Sequence, residues 1–591
     1  MAIDLKKFNQ LFDQIMKIDL AGRGPDRVPF KRNPTLDDIR PLVEANRHML
    51  PVIYQDKYAT PLANNLKTVA ELLKGNMILE TVLGAVYGHA DPQAAPQLRR
   101  FLAVISDFYR SFLSSKRRAR ANFPLVEQLP PLAMFQASGQ QGPFTVPVND
   151  IQRLCDAKVG VVSLPDTYRD HPALWAALAH EAGGHDVLHA DPNLLLELKA
   201  GVQAVLGGAG PTASPASERG RPTRTLPATS NDAPSERVLR ERNTRAECAR
   251  PARSNAGASG EWRERKTRPP ASHSPLATSH FLGGGGTPAL SGQNIAKLLG
   301  LLWAYWMDEA AADVYAVLNM GPSYGLNLAV YFAALNAQHA RTQTPALSTR
   351  SHFARSDPRR ALDTHPTDIV RPYLILGVMD TLTGLSESTR DAYAADLVQL
   401  ADALAPHART VTLTGYILGG PGSHNWVETA LGLAEMQDAA RRVGSYIASA
   451  RLQSFGGRSI QQLETWDDAD EDAARRIASA LVAGESVAGM GDDAQVMAGT
   501  TLALYQKPES YAEITELLAA ALDFSFDDDP LWGRATFRPV FLREESPDSA
   551  EKRRKSKGKR QRAKGKSEDQ AQAKSKGGRG RVVTRKAEGR D

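Results

Sequence analysis

Apolar side chains recur at three- and four-residue intervals through residues 1–135, first at Phe8, Leu11, Phe12, Ile15 and Met16. The same spacing returns at Leu66, Val69, Leu72 and Leu73, and again at Leu98, Phe101, Leu102, Ile105, Phe108 and Phe112. It places them on one face of a helix and predicts amphipathic helices covering a core. Between 143 and 164 the character changes to β-branched runs, Phe144-Thr145-Val146-Pro147-Val148 and Val159-Gly160-Val161-Val162-Ser163-Leu164, bounded by Gly, Pro and Asp. These are expected to be strands of a small sheet. His171-Pro172-Ala173-Leu174-Trp175-Ala176-Ala177-Leu178-Ala179 then opens with proline in a first turn and predicts a buried helix running into His180. Ile295, Leu298, Leu299, Leu302, Trp303 and Trp306 predict a second buried helix, ended by a turn at Gly321-Pro322. Residues 369–541 read as predominantly helical. The expected fold class is therefore mainly α with a small β-sheet (α+β).

The pattern fails in three places. Residues 207–288 are rich in Ser, Pro, Arg, Thr and Gly and poor in aliphatic side chains, so no core can be built from them; a disordered insert is expected. A polar, Arg-rich stretch covers about 340–363. The end of the chain, 542–591, is a Lys/Arg/Gly/Ser tail in which 551–591 holds 17 Lys/Arg against 5 Asp/Glu, a net of +12. Residues 209–288 add 13 Lys/Arg against 7 Asp/Glu, +6; since the whole chain is at +6, the remainder carries −12. The part expected to fold is acidic, and the sequence pI near 9.1 describes the appendages. Only Cys155 and Cys248 are present, the second in the insert, which excludes a disulfide framework and fits a reducing compartment. The amphipathic N-terminus lacks the apolar block of a signal peptide, and no run of about 18 apolar residues offers a membrane span. The expected location is cytoplasmic, with no membrane partner.

Chemistry concentrates at His180-Glu181-Ala182-Gly183-Gly184-His185 and Asp308-Glu309-Ala310-Ala311-Ala312-Asp313. Two imidazoles and a carboxylate on a metal, with a free carboxylate beside the fourth position, make up the open geometry of a catalytic zinc site. Side chains at i and i+5 of a regular helix stand about 140° apart, so His180 and His185 converge only through a local widening. Gly183-Gly184 sits where a one-residue π bulge would go. Glu181 is then the candidate general base. Glu309 and Asp313 share a helical face, so Glu309 can ligate while Asp313 orients a ligand imidazole. A competing registration, His185-Asp186-Val187-Leu188-His189, needs no bulge and would make His185 and His189 the ligands and Asp186 the base. It leaves His180-Glu181 without a role; in the first registration His189 stands behind the ligands or faces substrate. His365 and Arg371, in His365-Pro366-Thr367-Asp368-Ile369-Val370-Arg371, and Tyr324, in Gly321-Pro322-Ser323-Tyr324-Gly325, are candidates for steadying an oxyanion. Setting aside the 82 residues of 207–288 reduces the 124 positions between His185 and Glu309 to 42, a distance that one or two helices span.

His180-Glu181-x-x-x-His185 followed by Glu309-x-x-x-Asp313 resembles the gluzincin metallopeptidases, and the six-residue first motif is similar to that of the dipeptidyl peptidase III family. The resemblance covers roughly 160–206 and 290–325. It implies a zinc ion, Zn2+, on His180, His185 and Glu309, with Glu181 as base and proton shuttle, and a peptide substrate. Outside those positions nothing is similar to that family, so its dipeptide-releasing specificity does not carry over. The expected organisation is an N-terminal helical region (1–135), two halves of a zincin-like catalytic domain (136–206 and 289–340) flanking the insert, a C-terminal helical region (341–541) and the basic tail. The tail itself suits non-specific binding of nucleic acid or an acidic protein through counterion release. No aromatic residue lies in 542–591 to stack on bases.

Overall fold

Helix α1, Leu5–Ile15, starts where the Asp4 carboxylate accepts the Lys6 N–H, and it buries Phe8, Leu11 and Ile15. Helices α2 (Leu36–Asn46), α3 (Met77–Ala90) and α4 (Ala95–Leu113) follow, and α4 buries Leu98, Phe101, Leu102, Ile105, Phe108 and Phe112, the stripe expected from their spacing. The computed structural model describes residues 4–18, 36–65, 77–113, 129–136, 142–190, 193–207, 292–341, 353–354, 361–418, 424–529 and 531–532. These all belong to one unit, Met1–Gly533. The expected insert apart from Gly207, the basic tail, Cys248 and the Leu66–Leu73 stripe lie outside the described residues.

The small sheet is present and larger than expected. Strand β1 (Leu132–Gln136) pairs in parallel with β3 (Val161–Pro165), and β2 (Phe144–Val146) pairs antiparallel with the other side of β3. β1 falls inside the region expected to be helical. All five of its residues are buried, so the period-two alternation that marks a strand is absent. Helix α5 (Val148–Cys155) connects β2 towards β3. After β3 a short 3-10 turn at Pro172–Leu174 leads into α6, built from an α turn at Ala177–His180, a π-helical section at Glu181–Asp186 and a last α turn at Val187–Ala190. Trp175, Phe101 and Phe135 meet beneath it with ring centroids 5.4–6.1 Å apart.

Helices α7 (Leu194–Gly207) and α8 (Gly292–Tyr305) pack against each other, with Gly300 against the backbone of Gln203. Trp306 separates α8 from α9 (Met307–Met320), which is buried along almost its whole length. α9 ends at Gly321, whose φ of 71° suits glycine, and a Cβ there would stand 2.6 Å from the Trp466 ring. α10 (Ser323–Arg341) follows directly. Strand β4 (Phe353–Ala354) and helices α11 (Arg371–Met379) and α12 (Glu387–Leu404) come next. The helical region then contains a hairpin, β5 (Thr410–Leu418) with β6 (His424–Gly432), and β4 pairs in parallel with β5. Here Val411, Leu413 and Ile417 are buried and alternate with half-buried Thr412, Thr414 and Tyr416, a strand period inside a stretch read as helical. Gly419-Gly420-Pro421-Gly422, between the strands, lies outside the described residues. Helices α13 (Leu433–Ser449), α14 (Asp468–Ala483), α15 (Asp493–Gln506) and α16 (Tyr511–Asp528) complete a mainly helical fold. No helix among the described residues is long and apolar enough to cross a membrane.

Candidate metal centre

The π-helical section of α6 lies directly on α9. Their approach is set by small residues: a Cβ at Gly184 would stand 2.6 Å from both Cα and Cβ of Ala312, and Ala310, Ala311 and Ala312 are fully buried. The widened turn occupies the positions expected from Gly183-Gly184 and carries His180 and His185 to one side. The far end of the section is pinned to the start of α5, where Asp186 Oδ1 accepts the Val148 N–H at 2.9 Å.

His180 Nε2 lies 3.1 Å from His185 Nε2 and 3.2 Å from Glu309 Oε2, and His185 Nε2 lies 3.6 Å from that oxygen. Two ligands bound tetrahedrally to zinc at about 2.05 Å stand about 3.3 Å apart, so these separations match a zinc-sized ion. Among the described residues this is the one group of three His, Cys, Asp or Glu donors that meets within 4.8 Å. The other ring nitrogens decide what the three atoms present. His180 Nδ1 is 2.9 Å from Asp313 Oδ1, and His185 Nδ1 is 3.2 Å from Asp308 Oδ1. An ionised carboxylate can only accept, so each Nδ1 donates and each Nε2 is left with its lone pair. Two lone pairs and a carboxylate oxygen then converge in a buried space, an arrangement that requires a positive charge among them, either a proton or a metal ion. The donor set, two imidazoles and one carboxylate, is one that could hold a divalent metal ion, zinc among them.

The electrostatics agree. Burial pushes the His180 and His185 imidazolium groups down, but the carboxylates outweigh it: Asp313 and Glu309 raise His180, and Glu309 and Asp308 raise His185 well above its ordinary value. Burial would raise Glu309, yet His365 and His185 hold it well below the usual carboxylate range. A metal would replace protons at these nitrogens, which couples its binding to pH.

Asp313 is fully buried and accepts from four donors. Besides His180 Nδ1, these are Tyr324 Oη at 2.7 Å, Arg371 Nε at 2.7 Å and Arg371 Nη2 at 2.6 Å. The Arg371 guanidinium also lies 4.7 Å over the Phe332 ring. Burial would raise the Asp313 carboxyl, but Arg371 and His180 together hold it well below its usual range. Tyr324 and Arg371, considered from the sequence for an oxyanion, are thus engaged with Asp313 instead. Burial and the Asp313 charge raise the Tyr324 phenol well above its ordinary pKa, which keeps it a neutral donor.

Glu181 is buried beside β2, where Thr145 Oγ1 lies 2.7 Å from its Oε2 and 3.0 Å from its carbonyl oxygen. His189 Nε2 is 3.3 Å from Asp308 Oδ1, so one carboxylate serves both His185 and His189. Asp186, the base of the competing registration, is fully buried against Val148 and Gly160, and burial raises its carboxyl to about 6. His365 lies 3.2 Å by Nε2 from Glu309 Oε1, with its Nδ1 2.8 Å from Asp363 Oδ1. Three roles were not legible in the sequence. Asp308 was visible beside Glu309 without a partner to assign, while Thr145 and Asp363 carried no motif at all. The side chains of Asp308, His189 and His365 are 29%, 30% and 30% exposed, against 9% for either facing histidine, so they line the solvent side of the centre. No family model, no curated protein and no solved structure matches this chain.

Proposed function

We propose that this protein is a zinc-dependent hydrolase, in the first instance a metallopeptidase. The observation that carries the proposal is the convergence of two lone-pair-bearing imidazoles and Glu309 Oε2, with Glu181 one residue from the first imidazole. When bound, a zinc ion polarises a substrate carbonyl and lowers the pKa of water to about 7. The chain does the remaining work. Asp313 and Asp308 hold His180 and His185 in the tautomer that offers Nε2. Thr145 secures one carboxylate oxygen of Glu181, and the other is left to take a proton from the attacking water and pass it to the leaving amine. A metal-dependent hydrolase of other amides or esters would use the same groups, and a zinc protein without turnover would use all but Glu181.

Glu181→Gln separates these cases. Turnover of a peptide mixture should fall by about 10²–10⁴-fold, while bound zinc stays as in wild type, because Glu181 is not a ligand. Equal turnover in wild type and Glu181→Gln would remove the base from the mechanism. Full zinc occupancy with no turnover of any peptide, amide or ester by wild type would leave a zinc-holding protein.

A further inference from the structure

Glu309 is held from two directions. Its Oε2 faces His180 and His185, and its Oε1 lies 3.2 Å from His365 Nε2. The position of His365 is built in by a chain of bonds along 362–365. The Leu362 N–H donates to the Tyr416 carbonyl of β5 at 3.0 Å, and the Leu362 carbonyl accepts from Tyr305 Oη at 2.6 Å. The Asp363 carbonyl accepts from Trp306 Nε1 at 2.8 Å. Asp363 Oδ1 then takes the His365 backbone N–H at 3.0 Å and stands 2.8 Å from its Nδ1. Tyr305 and Trp306 lie one helical turn before Glu309, so the anchors of the strap and the ligand it touches belong to the same stretch of chain.

A carboxylate can give a metal one oxygen or both, and giving both would fill a position that a catalytic site must keep open. We propose that His365 is a positioning residue for Glu309: with a carboxylate at each ring nitrogen it donates from both, Nδ1 to Asp363 and Nε2 to Glu309 Oε1, and so confines Glu309 to one-oxygen ligation and keeps the fourth position free. This deepens the metal-site proposal and rests on it. The oxyanion role considered from the sequence would require His365 to face the substrate; here its Nε2 faces Glu309.

The test uses the full chain loaded with cobalt(II), whose visible absorption weakens as coordination rises above four, together with chelator competition. His365→Ala should bind metal at least about tenfold more weakly, with a weaker cobalt band. His365→Gln, whose side-chain amide N–H can reach Oε1, should restore both. Circular dichroism of the two variants should match wild type, since the His365 side chain is 30% exposed. Unchanged affinity and an unchanged band in His365→Ala would overturn the positioning role while leaving the metal site standing. Failure of wild type to take up cobalt would overturn the site and the positioning role together.

Discussion

At the residue scale the centre is organised by Asp313, whose two oxygens gather donors from three other elements: His180 on α6, Tyr324 on α10 and Arg371 on α11. The carboxylate is stable in a fully buried position because every direction around it is met by a donor, and the paired guanidinium cancels its charge. Glu309 and Asp313 were recognisable as a pair because four positions along a helix is a local rule. The Arg371 contact was not, because 58 positions separate it from Asp313 and only the packing of α11 against α9 brings them together. Arg371→Met keeps much of the volume and removes the charge and the donors. It should cost about 3–5 kcal/mol in urea denaturation, since a buried carboxylate is left facing two donors. A cost within about 0.5 kcal/mol, the range of an ordinary surface substitution, would show that Arg371 does not support Asp313.

At the scale of elements, the π-helical section and α9 form one unit. The widening follows from two constraints: histidines at i and i+5 must converge, and Gly184 must let the Ala312 backbone approach. The first was visible in the sequence, which is why the bulge could be expected at Gly183-Gly184; the approach of Gly184 to Ala312, 128 positions away, was not. Gly184→Ala places a methyl group where Ala312 Cα and Cβ already stand, so the helices must separate. We expect a loss of about 1–3 kcal/mol together with weaker metal binding; wild-type stability and affinity would mean that the close approach is not what forms the site. The strands were legible unevenly. β2 and β3 carry β-branched runs with Pro and Gly borders, whereas β1, Leu-Ala-Met-Phe-Gln, has no β-branched residue and no exposed face. The β5–β6 hairpin did carry an alternating pattern, but it lies among long helices and was absorbed into them.

At the scale of the whole molecule, the two halves of the centre are distant in sequence only because 208–291 intervenes, outside the described residues. α7 and α8, on either side of it, pack together directly, and every side chain of the centre comes from residues beyond those helices. Replacing 208–291 by a Gly/Ser linker of about 10 residues, which spans roughly 17 Å on average, should therefore leave metal content unchanged. The acidic balance of the chain outside 209–288 and 551–591 also suits a site that gathers a cation, while the basic tail carries the proposal of salt-sensitive binding to a polyanion. The most direct measurement is zinc per chain by elemental mass spectrometry on purified full-length protein, beside His180→Ala, Glu309→Ala, His189→Ala and the chain without 208–291. About one zinc in wild type, lost in the His180 and Glu309 variants and kept in the other two, is the expected result. No stoichiometric metal in wild type after incubation with zinc, or loss with His189→Ala and retention with His180→Ala, would contradict the centre proposed for His180, His185 and Glu309.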